Sequence, residues 1–164
     1  LRTLCGLILP EAGEVRWQGG NIRAMREDFS KDVLYLGHKN GIKNDLTALE
    51  NLRFTSALDG FDVTEEEAWN ALERIGLDGH EDLEVKVLSQ GQQRRVALAR
   101  LLVNRATMWV LDEPFTALDM GAVDLLQHVI RDHVEKGGIV VLTTHQEVPL
   151  TEGHVQRLKL GWRN

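Results

Sequence analysis

The spacing of hydrophobic and polar positions changes several times along the chain, and the changes mark out its elements. Asp32-Val33-Leu34-Tyr35-Leu36, Thr107-Met108-Trp109-Val110-Leu111 and Ile139-Val140-Val141-Leu142 are short apolar runs of strand length. Gly13 to Ile22 alternates polar and apolar residues and predicts a further strand closed by a glycine turn. From Gly41 to about Val87 the pattern is helical and more polar, as expected of an inserted helical subdomain. Thr47-Ala48-Leu49-Glu50 is a capping box for a helix through Leu52 and Ala57. Thr64-Glu65-Glu66-Glu67 is another, with Ala68, Ala71, Leu72 and Ile75 on one face and Gly76 at the end. A third opens at Ser89, with Gln92 three residues on and Val96, Ala99, Leu102 and Val103 at helical spacing. Ala122, Leu126, Val129, Ile130 and His133 predict a last helix, ended by Gly137-Gly138. Leu1, Leu4 and Ile8 are helically spaced up to Pro10 without an N-cap, and a weak strand is expected around Val155 to Leu160.

Composition narrows the function classes. At 164 residues the chain can bury one sizeable core, with room for a small inserted subdomain. A formal net charge of −6 with no basic stripe argues against a nucleic-acid footprint. The single Cys5 has no internal disulfide partner and lies in an apolar stretch, so it reads as a reduced packing residue. No apolar run approaches the length of a membrane helix, and any membrane role is expected to go through a partner. Glu65, Glu66 and Glu67 suit the first turn of their helix, with no catalytic role needed. Trp69 reads equally as packing or partner contact. His128 and His133, five apart, do not share a helical face at ligand spacing and read as surface or edge residues.

Chemistry concentrates at three places. The helix opened by Ser89 starts with free backbone N–H groups, a hydroxyl and a glycine, Gly91, that lets an anion come close, which together suit a phosphate. The strand ending at Leu111 delivers Asp112-Glu113-Pro114, and ligands bind beyond the carboxyl ends of buried parallel strands. The strand ending at Leu142 delivers Thr143-Thr144-His145. Each feature alone has an ordinary explanation: a capped helix, a solvated acidic turn, a surface histidine.

Their order is more specific. Leu88-Ser89-Gln90-Gly91-Gln92, then an apolar strand ending in Asp112-Glu113, then Ala117-Leu118-Asp119, then a strand ending in His145, resembles the nucleotide-binding subunits of ABC (ATP-binding cassette) transporters along nearly the whole chain. The resemblance implies an α/β fold, a RecA-like P-loop NTPase core with an inserted helical subdomain. It divides the chain into 1–38 (β-subdomain and core), 39–103 (helical subdomain with the signature helix) and 104–164 (RecA-like core). It also implies ATP and Mg²⁺ as cofactors. Asp112 would hold the metal, Glu113 would polarise the attacking water, and His145 would contact the γ-phosphate. Ser89, Gly91, Gln92, His38 and Asp119 would belong to nucleotide binding across a head-to-tail dimer with a second ATPase subunit. Gln90 stands where glycine is commoner in the signature, with little loss expected.

Narrower stretches point to one branch. Tyr35-Leu36-Gly37-His38, Gly41-Ile42-Lys43, Leu46 to Leu52, Pro114 to Asp119 and Thr143-Thr144-His145-Gln146 together resemble the ATPases of the bacterial Ccm system of cytochrome c biogenesis. His38 stands where the wider family has glutamine, a substitution expected in this branch; an imidazole can still donate or accept a hydrogen bond. The branch implies a peripheral subunit on the cytoplasmic face of the inner membrane, working with the integral membrane subunits of the Ccm transporter in heme export or release of heme-bound chaperone. No G-x-x-x-x-G-K-[ST] occurs in the sequence, and the resemblance places that loop, and the strands with the adenine-stacking aromatic, upstream of Leu1. The expectation is therefore a chain without its N-terminal strands and Walker A loop, inactive as an ATPase by itself. The alternatives are an ATP-incompetent subunit that docks on a membrane partner through His38 to Leu58, and a soluble ABC ATPase of another system.

Overall fold

The computed structural model describes residues 1–145 and 155–158. A hairpin of β1 (Arg16–Trp17) and β2 (Gly20–Asn21) leads into α1 (Arg26–Asp32) and β3 (Val33–Leu36). Next come α2 (Ala48–Leu58), α3 (Glu65–Arg74), a 3₁₀ turn at Val85–Val87 and α4 (Gln90–Val103). The chain then returns to a sheet through β4 (Met108–Asp112), α5 (Met120–Glu135) and β5 (Ile139–Thr143). In that sheet β4 lies between β3 and β5, parallel to both. Leu36 pairs with Leu111 and Leu111 with Leu142, so all three strands end level.

Period-two alternation decides what each face of this sheet covers. Leu34, Leu36, Trp109, Leu111, Val140 and Leu142 face the main core, which continues into α2, α3, α4 and α5. Val33, Tyr35, Met108, Val110 and Val141 face a smaller cluster with Ile22, Phe29 and Cys5. β4 is therefore buried on both sides, which is why its sequence is continuously apolar. Burial raises the Cys5 thiol to about 11, consistent with a packing role.

The helical part is fixed by its caps. Thr47, Thr64 and Ser89 each close a reciprocal capping box, with Glu50, Glu67 and Gln92. The start of α2 is strapped to the 81–84 segment: Leu49 N–H donates to the Glu81 carbonyl and Ala48 N–H to that of Leu83. Asn51, buried on α2, donates to the carbonyls of Lys43, Leu46 and Thr47 and accepts from Lys43 N–H. Arg100 of α4 pairs with Asp59 beyond α2 at 2.7 Å. Trp69 is half-buried against the core and donates to Glu73. No helix among the described residues is long and apolar enough to cross a membrane.

Three expectations for the elements change, and one helix carries no signal in the pattern. The 13–22 stretch is a hairpin rather than one strand. Gln18 and Gly19 both take positive φ, 49° and 82°, the geometry that two-residue hairpin turns demand. Leu1 to Ile8 forms turns and no helix: Leu4 and Cys5 N–H donate back to the Leu1 carbonyl, and Gly6 then turns left-handed at φ 70°. Residues 155–158 are not a strand, with Val155 49% and Leu158 83% exposed and no ladder partner among the described residues; 159–160 lie outside them. The short α1 escapes periodicity because Phe29 is its one buried residue.

His133, expected at a surface or edge, is half-buried. It stacks on Trp109, ring centroids 3.6 Å apart and planes within 8°, while its Nε2 lies 3.1 Å from the Thr107 carbonyl. Burial lowers its pKa below the ordinary 6.5. The unfolded chain then binds the proton more readily than the folded one, so this contribution is complete above 6.5 and is lost as pH falls through the folded value. Urea denaturation is expected to give a loss of stability below that pH that is smaller in His133→Gln.

Candidate nucleotide-binding site

Because the three strands end level, the residues that follow them emerge along one edge of the sheet. Asp112, the last residue of β4, pairs in register with Thr143, the last of β5. The Thr143 hydroxyl donates to Asp112 Oδ1 at 2.7 Å, and Glu113 N–H donates to the Thr143 carbonyl and hydroxyl oxygens, each at 3.2 Å. Glu113 holds a left-handed φ of 50°, unfavourable for a side chain-bearing residue by roughly 1–2 kcal/mol and sustained here by its surroundings. Its carboxylate meets His145 twice: Oε1 lies 3.2 Å from Nε2, and Oε2 accepts the backbone N–H at 3.3 Å. The Glu113 side chain is 18% exposed and that of His145 95%, so the pair sits at the mouth of the site. Asp112, Glu113 and His145, singled out separately in the sequence, are thus brought together.

Behind them lies a buried cation. Arg94 of α4 is 4% exposed, and its Nη1 donates to the Gly37 carbonyl (3.3 Å) and to Asn40 Oδ1 (3.1 Å). Nη2 donates to the carbonyls of Asp112 (3.4 Å) and Glu113 (2.9 Å). Burial lowers its pKa, opposed by the Asp112 charge, but a guanidinium keeps its proton in proteins. His38 is exposed in the loop after β3, between the two residues that Arg94 holds.

The start of α4 forms a separate groove of about 430 Å³ with the 117–119 loop, lined by Ser89, Gly91, Gln92, Arg95, Asp119 and neighbouring backbone. A Cβ at Gly91 would stand 3.2 Å from the Ala117 carbonyl, so glycine lets helix and loop approach. Ser89 Oγ accepts Gln92 N–H at 3.2 Å, leaving its own proton available to a ligand. Asp119 caps α5 through Ala122 N–H at 2.8 Å and pairs with Arg95 Nη2 at 2.7 Å. Those two partners, the N–H first, hold its carboxyl below the usual range. Arg95 also donates to the carbonyls of Ile75 and Gly76, both at 3.3 Å. The groove therefore presents helix N–H groups, a hydroxyl and a guanidinium, donors suited to a phosphate.

The Asp112 carboxylate and the Thr143 hydroxyl supply hard oxygens only, which fits Mg²⁺ rather than a softer metal. Sequence reasoning missed Arg94, Thr143, Asn40 and Arg95. A signal existed for Arg94: it lies four and seven residues before Leu98 and Leu101 on a buried face of α4.

The ABC transporter family model matches residues 1–116. Over 160 residues the chain is 54% identical to the cytochrome c biogenesis ATP-binding export protein CcmA of Nitrosospira multiformis, covering 98% of this chain and 78% of that one. It is 52% identical to the CcmA of Dechloromonas aromatica, covering 98% and 79%. A dimeric post-hydrolysis state of the ATP-binding cassette MJ0796, bound to ADP and Pi, matches with a TM-score of 0.76 and 25% identity, covering 88% of this chain and 68% of that one. The chain belongs to the ABC transporter family, and its α/β architecture is that of the family's nucleotide-binding ATPase domain. Within the family it is similar to the CcmA proteins at about half of its positions over nearly its whole length.

The tie between the two strand ends is directly testable. Thr143→Val removes the hydroxyl that serves both Asp112 and Glu113, and is expected to cost about 1–3 kcal/mol in urea denaturation, since two half-buried polar groups lose a partner.

Proposed function

We propose that this chain belongs to the ATP-binding and ATP-hydrolysing subunit of an ABC transporter serving cytochrome c biogenesis, in heme export or in release of a heme-bound chaperone, and that by itself it does not hydrolyse ATP. The branch is supported by the identity to CcmA proteins and by His38 in the loop after β3. The chemistry is carried by one observation: Glu113 at the end of a buried parallel strand, its carboxylate on His145 and its neighbour Asp112 on Thr143.

In this reading Glu113 accepts a proton from a water aligned with the terminal phosphate of ATP. The water oxygen bonds to that phosphorus as the bridging P–O bond to ADP breaks. His145, exposed at the mouth, donates a hydrogen bond to the γ-phosphate oxygens as charge develops there. Asp112 is the residue that would hold Mg²⁺, whose bound charge offsets that of the phosphates. Ser89, Gly91 and Gln92 offer the start of α4 to the nucleotide of a second, head-to-tail subunit, and Asp119 keeps the 117–119 loop in place through Arg95. The dimeric form of the MJ0796 neighbour supports such a pairing. His38, exposed in the loop after β3, reports nucleotide state to the integral membrane subunits in this reading. The peripheral position on the cytoplasmic face of the inner membrane follows from that partnership. Residues 39–103 act as the helical subdomain, between a 1–38 segment and the 104–164 core.

The test is turnover in the complete gene product assembled with its membrane subunits. Glu113→Gln is expected to slow steady-state phosphate release by roughly 10²–10⁴-fold while ATP binding persists, the range for loss of a general base. Unchanged turnover would remove Glu113 from that role.

A further inference from the structure

Arg94 joins three segments that are far apart in sequence. It stands on the second turn of α4, the helix whose first turn lines the phosphate-suited groove. On one side its Nη1 holds the Gly37 carbonyl and the Asn40 side chain, which bracket the exposed His38. On the other its Nη2 holds the carbonyls of Asp112 and Glu113. Those two carbonyls belong to the peptide groups on either side of the Glu113 Cα. Fixing both fixes the backbone angles of Glu113, including its unfavourable φ of 50°, and so the direction in which its carboxylate leaves the strand.

The residue type matters. A planar guanidinium offers forked donors to acceptors on two sides at once, whereas an ammonium concentrates three donors at one point on a flexible stem. Nε of Arg94 is buried without a partner among the described residues, so there the ion is held by its two terminal nitrogens alone. Loss of either set of acceptors would leave a desolvated cation poorly compensated, which makes the link between them stiff.

We propose that Arg94 is a positioning residue that locks the His38 loop to the Asp112–Glu113 peptide groups, so that the loop, the strand end and the start of α4 respond as one body. Displacement of the His38 loop is thereby transmitted to the backbone of Glu113 within the same subunit. The kinetic consequence rests on the ATPase reading above; the mechanical link does not.

The experiment uses the complete gene product and two readouts. Amide hydrogen exchange by mass spectrometry is compared for the parent, Arg94→Lys and Asn40→Ala, and ATP turnover is measured on the same samples. In Arg94→Lys, exchange is expected to quicken roughly tenfold or more in peptides covering 37–41 and 112–116 together, with α2 and α3 unchanged, as for local opening of one unit. Turnover is expected to show kcat lowered about tenfold or more and the KM for ATP altered by less than about threefold, the pattern of a lost transition-state alignment. Asn40→Ala leaves Arg94 in place and touches only the loop side; quicker exchange at 112–116 in this variant supports transmission, and a response confined to 37–41 overturns it. This comparison decides the question should Arg94→Lys fail to fold. Exchange raised uniformly over all helices, or in neither segment, also overturns the link. A parent without ATP turnover defeats the ATPase reading and leaves the exchange result to judge the link by itself.

Discussion

Most of this structure depends on β4 being paired on both edges and buried on both faces. A parallel strand in that position has no slack: a slip of one residue toward either neighbour would exchange Met108 and Val110 with Trp109 and Leu111 between two different cores. The register is thus fixed by side-chain burial, and the level ending of the three strands follows from it. The Asp112, Glu113 and His145 cluster is placed by that ending. Asp112 and Thr143 meet because they are register partners, and Glu113 and His145 meet because each lies just past that pair.

The site then needs interactions that hold a backbone turn against its own preference. Glu113 leaves the strand with positive φ, and the groups that keep it there come from different parts of the chain: Thr143 from β5, His145 beyond it, and Arg94 from α4. Among the described residues no carboxylate neutralises Arg94 directly; carbonyl dipoles and one amide oxygen receive its donors. A buried charge solvated by backbone carbonyls is sensitive to where those carbonyls lie, so the same arrangement that stabilises the turn ties its geometry to a loop exposed at the surface. Arg95, one residue on, does the equivalent for the groove: it holds Asp119 on one side and the carbonyls that end α3 on the other.

Much of this was legible in the sequence because the signals are local. The capping boxes at Thr47, Thr64 and Ser89 require only residues three apart, and each forms as read. The apolar runs that became β3, β4 and β5 are short, and acids or a histidine stand at the end of each, which marks their carboxyl ends. What escaped is non-local. Arg94 reads as a polar residue on a capped helix until the sheet places four acceptors around it from positions 37, 40, 112 and 113. Thr143 reads as the last polar residue of a strand until the register sets Asp112 opposite it. The stack of His133 on Trp109 likewise needs α5 laid along β4. The hairpin at 16–21 was hidden by its Gln-Gly turn, where a positive φ at glutamine is not announced by residue type.

The central claim is that the level strand ends form a site for a magnesium–nucleotide pair through Asp112. The measurement that tests it most directly is calorimetric titration of ATP into the complete gene product with and without Mg²⁺, beside Asp112→Asn. The account predicts that Mg²⁺ tightens ATP binding to the parent and that the substitution weakens this gain by roughly tenfold or more, about 1.4 kcal/mol. An equal gain from Mg²⁺ in both proteins would contradict it.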